Sequence, residues 1–157
     1  MAVIKVDMSK AYDRVDWIFL LKVLQAYRFS DKWVQLISQC ISTVWFRTLV
    51  NGKAYAPFKP KCGLRQGDPL SPYLFLFCMD ILSRMLSLAE DIKLFKDLQV
   101  SSRSPSISHL FFADDAMLFF KADKGACSFI MENLVRFGKI SGQQLNLKKS
   151  FFKFSPL

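Results

Sequence analysis

The stretch SHLFFADDAMLFF, residues 108–120, sets two adjacent carboxylates, Asp114 and Asp115, in an otherwise almost unbroken apolar run. Side chains such as Phe111, Phe112, Leu118 and Phe119 belong in an interior, where an ionised aspartate without a partner is very costly. A chain built around this stretch must turn at the aspartates and bring a compensating charge to them. Its two halves read as strands, residues 107–113 and 116–121, joined at the doublet. The plainer reading of an isolated Asp-Asp pair is a solvated turn. The Phe, Met and Leu residues crowded on both sides make that reading less comfortable here.

The rest of the chain supplies the partners for these strands. AVIKVDM (residues 2–8) alternates and is β-branched, which predicts a strand. Trp17, Leu20, Leu21, Leu24 and Tyr27 then form one helical face, with Asp13 or Asp16 as N-cap. Ser30 can cap a second helix with Trp33, Leu36, Ile37, Cys40, Ile41 and Val44 on its apolar face. Strand-type residues on both sides of Asn51-Gly52 predict a hairpin. The loop CGLRQGDPLSP leads into a helix with Ser71 as N-cap and Pro72 at its first position. That helix is apolar nearly all round, which predicts burial. The polar QVSSRSPS, residues 99–106, reads as a loop. After residues 123–125 a further helix points Phe129, Ile130, Leu134 and Phe137 inward and stops near Gly138 to Gly142. QQLNLKKSFFKF, residues 143–154, reads as a closing strand.

Apart from the inserted hairpin and helix, the order is β-α-β-β-α-β, the split βαβ arrangement: an α+β, ferredoxin-like antiparallel sheet with helices on one face. A right-handed helical crossover makes the first two strands parallel, so their carboxyl ends share one edge of the sheet. Asp7 ends the first strand and Asp114 ends the second. Residues 107 apart in the sequence should therefore meet. Carboxylates gathered there repel one another unless a cation intervenes. Hard oxygen ligands suit Mg²⁺ or Mn²⁺, and Mg²⁺ prefers one or two carboxylates plus substrate phosphates. Two such ions about 4 Å apart can bridge the attacking and departing oxygens of a displacement at phosphorus.

Composition narrows the class. The chain has 157 residues, 52% of them apolar and 16 of them Phe, too rich for disorder and suited to a single domain over 1–157. Its net charge of +9 is uneven: residues 33–67 contain no acid, while Arg47, Lys53, Lys59, Lys61 and Arg65 are cationic. Basic segments interleaved with aromatics suit a polyanion, above all nucleic acid; a solubilising surface is the alternative. The longest clean apolar run, residues 73–79, is far short of a membrane span. MAVIKVDMSK has no hydrophobic signal core. Four cysteines without a C-x-x-C pair read as free thiols. These features predict an intracellular protein, nuclear or cytoplasmic, that does not engage a membrane.

VDMSKAYDRVDW, GLRQGDPLSPYLF, HLFFADDAMLFF and SGQQLNLKKS, in that order and at these spacings, resemble the central blocks of reverse transcriptases of the non-LTR (LINE-type) retrotransposons, plant elements in particular. The resemblance implies the palm of a right-hand polymerase, joining nucleotides from dNTPs to a DNA primer on an RNA template with two Mg²⁺ or Mn²⁺ ions. It makes Asp7 and Asp114 the principal metal ligands, Asp115 the weaker third carboxylate, and the Met8 carbonyl a further ligand. Tyr12 takes the place of an aromatic that blocks a 2′-hydroxyl, where Phe is commoner; a core role is the alternative. Gln66 and Gly67 fall in the loop against the incoming nucleotide and template. Lys149, with Lys148 as competitor, matches a lysine beside the triphosphate, and Arg65, Lys61 and Lys53 would meet nucleic acid. Asp13, Lys10 and Asn146 match the pattern in structural roles, and His109 reads as an ordinary strand residue.

Met1 stands only six residues before Asp7. The expectation is a partial domain, palm with part of the fingers: most of the fingers, the thumb and any endonuclease segment are missing, and activity of the fragment alone is weak or absent. Two rivals stand beside this reading. A phosphoacceptor receiver domain also clusters aspartates, Mg²⁺ and a lysine, but there the acidic pair comes first and strands and helices alternate five times. A non-enzymatic nucleic-acid-binding remnant of a polymerase palm would keep the fold and the basic surface without the chemistry.

Overall fold

The computed structural model describes residues 2–91, 98–99, 106–120 and 122–154. Most of the expected loop at 99–106, and Lys121 at the end of an expected strand, lie outside them. The chain forms two compact units, one of Met1–Ala11 with Met79–Leu157 and one of Tyr12–Cys78.

The first unit is built on a four-stranded antiparallel sheet. Strand β1 (Ala2–Asp7) lies between β7 (Asp115–Phe120) and β8 (Phe151–Phe154), and β6 (His109–Phe112) flanks β7 on the far edge. Since β6 and β1 are each antiparallel to β7, they run the same way, as the crossover argument requires. Alternation decides the faces. Ala2, Ile4 and Val6 are buried, as are Ala116, Leu118 and Phe120 opposite them. Lys5, Asp7, Asp115 and Met117 occupy the more open face. Helix α4 (Lys124–Ser141) contributes Ala126, Ile130, Leu134 and Phe137 to the core. Asp123 caps its start by accepting from the Ala126 N–H, and Gly142, at φ 80°, ends it in the left-handed conformation that glycine adopts freely. Short strands β4 (Leu98–Gln99) and β5 (Ser106–Ile107) pair with each other.

The second unit begins with a 3₁₀ turn, Tyr12–Arg14, and helix α1 (Trp17–Ala26), capped by Asp16, not Asp13, through the Phe19 N–H at 2.8 Å. Helix α2 (Asp31–Ser42) is capped by Ser30 as expected. Strands β2 (Leu49–Val50) and β3 (Lys53–Ala54) form the expected hairpin. The long helix α3 (Ser71–Asp91) starts here and continues into the first unit. Ser71 lies inside this helix: the Leu70 carbonyl accepts from the Leu74 N–H, so Leu70 precedes the first turn.

Four further expectations need correction. In α1, Val23 is buried with Leu20 and Leu24, while Leu21 is only half-buried. In α2 the buried residues are Val34 and Ile37, with Trp33 and Leu36 exposed, because the helix packs one residue round from its apolar centre. In α3, Leu74, Phe75, Cys78, Met79, Leu82 and Leu86 form a buried stripe, but Tyr73, Leu76 and Leu88 are exposed. Over Ser71–Leu88 this helix is long and apolar enough, by length and composition, to cross a membrane. Its buried stripe and the Asp80–Arg84 ion pair across one turn fit a core helix. Finally, the closing strand is only Phe151–Phe154; residues 143–150 are mainly a turn, with one bridge from Leu145 to Met8.

Candidate active site

In the first unit the ladder sets Asp7 at the end of β1 directly opposite Asp115 at the start of β7. One step on, the Met8 N–H donates to the Asp114 carbonyl at 3.2 Å. Backbone pairing thus brings residues 7, 8, 114 and 115 to one end of the sheet. The turn that carries Asp114 is tight: Phe112 pairs with Asp115, leaving Ala113 and Asp114 as the link. Ala113 has φ 53°, a left-handed conformation that costs a residue with a Cβ roughly 1–2 kcal/mol. Such strain persists where the surroundings over-determine the backbone, and here a six-residue ladder on β1 does so.

The side chains are more open than the sequence suggests. Asp114 is exposed and Asp115 half-buried. Phe112 is 84% exposed, because it shares the open face with Asp115 and not the core face with Ala116. Lys5 joins the site without having been among the expected residues: its ammonium lies 2.9 Å from a carboxylate oxygen of Asp115. Its signal was available: two residues before Asp7 on a strand, it must share that residue's face. Among the described residues, no three His, Cys, Asp or Glu side chains gather closely enough to hold a metal ion. With Asp115 engaged by Lys5, the remaining donors at this end are the carboxylates of Asp7 and Asp114 and the Met8 carbonyl. That oxygen-only set fits Mg²⁺, which takes one or two carboxylates and keeps several waters. Lys149 and Lys148 are exposed on the 143–150 turn, whose Asn146 N–H donates to the Asp7 carbonyl at 2.8 Å.

The second unit assembles the other sequence-predicted residues. Tyr12 stacks on Phe75 with centroids 4.9 Å apart, and its carbonyl accepts from the Leu64 N–H at 2.7 Å. Gln66 donates from its amide to a carboxylate oxygen of Asp13 at 3.3 Å. The loop fits against Asp13 because residue 63 is glycine: a Cβ there would meet the Asp13 carbonyl oxygen at 2.6 Å, and its φ is 90°. Gly67, at φ 81°, turns the chain beyond Gln66. Asp13, Arg65 and Gln66 line a cavity of about 640 Å³ together with the apolar Val44, Phe46 and Phe58. Arg65, Lys61 and Lys53 are all exposed.

Residues 1–155 match the family model described as reverse transcriptase (RNA-dependent DNA polymerase). The chain belongs to the reverse transcriptase family. An uncharacterized mitochondrial protein of Arabidopsis thaliana is 46% identical over 67 residues, 43% of this chain and 55% of the relative. The Pol polyprotein of retrotransposable element R2 from Popillia japonica is 30% identical over 118 residues, covering 74% of this chain and 18% of its own. That of the R2 element of Drosophila melanogaster is 29% identical over 147 residues, 92% of this chain and 13% of the relative. The chain thus spans about half of the first relative and under a fifth of the other two. These relatives bear out the resemblance to non-LTR elements, and to plant sequences among them. In fold, the reverse transcriptase chain is similar to telomerase from Candida tropicalis, lacking its C-terminal domain (TM-score 0.69, 17% identity, 97% of this chain and 30% of that one). Telomerase from Candida albicans matches equally well (TM-score 0.69, 16% identity, 99% and 27%). The α+β sheet expected from the β-α-β-β-α-β order, and the polymerase palm that the resemblance implied, are therefore the fold of this reverse transcriptase chain. Enzymes of the family use divalent metal ions.

Proposed function

We propose that this chain carries the nucleotidyl-transfer site of an RNA-directed DNA polymerase of a non-LTR retrotransposon. The observation that carries the reading is the in-register meeting of Asp7 with Asp115, with Asp114 in the strained turn beside them. Asp7, Asp114 and the Met8 carbonyl would hold two Mg²⁺ or Mn²⁺ ions, and Asp115 is the third carboxylate, its charge offset by Lys5. Held by these residues, such ions would supply Lewis-acid polarisation of the primer 3′-hydroxyl and of the departing phosphate oxygen of a dNTP. Lys149, exposed on the turn bonded to Asp7, is suited to protonate the leaving pyrophosphate.

Tyr12, held by Phe75, supplies a flat ring to exclude a 2′-hydroxyl, and the Gln66–Gly67 loop offers an amide and close backbone approach to the nucleotide. Exposed Arg65, Lys61 and Lys53 would neutralise phosphates of an RNA template and DNA primer. One of the similar telomerase structures was solved with a telomeric RNA fragment, which supports RNA as the template class. The four free cysteines suit a reducing, intracellular compartment. Among them, burial pushes the Cys78 thiol up to about 12.

Primer extension on an RNA template with a DNA primer, dNTPs and Mg²⁺ tests the reading. This chain alone is expected to extend weakly or not at all, and Asp114→Asn should abolish whatever extension it shows while the thermal melt stays in place. Extension unchanged in Asp114→Asn would sink the assignment. Salt-sensitive nucleic-acid binding with no affinity for Mn²⁺ or Mg²⁺ would favour a binding-only role instead.

A further inference from the structure

The turn at 143–150, in place of the expected strand, wraps the exit of β1. Regular pairing between β1 and β8 ends at Lys5 with Phe151. At Asp7 the neighbouring chain no longer offers a backbone carbonyl, and the Asp7 N–H instead donates to the Ser150 hydroxyl oxygen at 3.2 Å. That hydroxyl spends its own proton on the Asn146 carbonyl at 2.9 Å. Asn146 completes a ring by donating its N–H to the Asp7 carbonyl at 2.8 Å, and its carbonyl also accepts the N–H groups of Lys149 and Ser150. Both polar groups of the Asp7 backbone are therefore held from this side by one short turn, while the ladder with Asp115 holds the residue from the other. Two further bonds extend the seam: the Ser9 N–H to the Gln144 carbonyl, and the buried Gln143 amide to the Ala11 carbonyl, each at 2.8 Å.

We propose that Ser150 is the positioning residue of Asp7, its hydroxyl fixing the peptide plane that aims this carboxylate at the metal. The inference rests on the metal-binding reading of Asp7 given above. A serine hydroxyl can accept and donate at once, which an apolar side chain of similar size cannot do. It stands here at the one point where the sheet hands over from ladder to turn. Groups that hold a metal ligand in place typically change metal affinity about 10–100-fold when removed. The Asn146 carbonyl that accepts from the Ser150 hydroxyl also accepts from the Lys149 N–H at 3.0 Å, so one turn both holds Asp7 and carries the lysine.

The experiment uses this chain as wild type, Ser150→Ala, Ser150→Thr and Asp7→Asn. Mn²⁺ binding is read from the free-ion electron paramagnetic resonance signal, and amide hydrogen exchange is read at Asp7, Ile4 and Val6. The expected result for Ser150→Ala is Mn²⁺ affinity weakened about 10-fold and faster exchange at Asp7, with Ile4 and Val6 unchanged. Ser150→Thr, which keeps the hydroxyl, should restore both. Wild-type Mn²⁺ affinity in Ser150→Ala, or a Thr variant as weak as the Ala variant, would overturn the role of the hydroxyl. So would general unfolding of Ser150→Ala, since the role would then be structural. If wild type and Asp7→Asn bind Mn²⁺ alike, the metal reading itself falls and takes this inference with it. A loss in Asp7→Asn with none in Ser150→Ala removes this inference alone.

Discussion

Two tight antiparallel turns in this molecule solve the same geometric problem with opposite chemistry. At Asn51-Gly52 both linking residues have positive φ, 50° and 76°, and both are residue types that accept it readily. At Ala113-Asp114 the positive φ falls on an alanine, which resists it. The comfortable turn belongs to a hairpin in which every residue from 47 to 59 is exposed, held by two short strands and the Phe46–Phe58 bridge. The strained turn joins β6 to β7, which is paired along its whole length to β1. A turn with little behind it needs residues that favour it; a turn backed by a sheet can carry strain and hold a carboxylate in place. The difference separates a region stabilised by local preference from one stabilised by its neighbours.

The two regions should differ most in the core behind the strained turn. Phe120 is fully buried opposite Ala2, so Phe120→Ala should cost about 3–5 kcal/mol in chemical denaturation. Tyr55→Ala in the open hairpin, at a side chain 61% exposed, should stay within about 0.5 kcal/mol. Similar losses at the two positions would refute the distinction. At the turns themselves, Gly52→Ala should cost about 1 kcal/mol for the left-handed conformation alone, since no atom lies within 4 Å of its new Cβ. Faster hydrogen exchange of the Phe46 and Phe58 amides, which bond across the hairpin at 2.9 and 2.8 Å, would register it locally.

Ala113→Gly should act the other way. Relief of about 1–2 kcal/mol of strain, less about 0.5–1 for the freer unfolded chain, leaves a gain of roughly 0.5 kcal/mol. A clear loss of stability in thermal melts would mean that Ala113 is not strained. The smallest effect concerns His109 on β6, hydrogen-bonded to Ser83 at 2.6 Å and Ser108 at 2.9 Å. Burial lowers the pKa of its imidazole, so the folded state binds the proton less readily than the unfolded chain. Stability from this group is complete above the ordinary histidine value of about 6.5 and declines as pH falls from there through the lowered folded value. A His109→Gln variant should show a shallower fall in melting temperature between about pH 7 and 5. An unchanged slope would remove His109 from the account.

Much of the fold was legible because its signals are local. Ser30 stands where a side-chain oxygen meets the first free N–H groups of a helix, and α4 begins at Lys124 and ends at Gly142, within the stretches where its start and stop were expected. Asp13 and Asp16 looked equivalent as caps until the backbone put Asp13 in a 3₁₀ turn and under the Gln66 amide. The meeting of Asp7 with the doublet followed from strand order and crossover handedness alone. Which side of α3 would be covered did not follow: Leu76 and Leu82 are the same residue type in the sequence, and only packing separates them.

By itself the sequence determined the order of elements, most of their ends, and the convergence of carboxylates from opposite ends of the chain. Those depend on spacing, capping and connection rules that act within a few residues or on topology as a whole. The sequence put Lys5 on the face of Asp7, but its choice of Asp115 as partner, the outward face of Phe112 and the departure of residues 143–150 from the sheet to bind Asp7 came from the folded chain. Each of these turns on register, and in a strand a shift of one residue reverses which face a side chain takes.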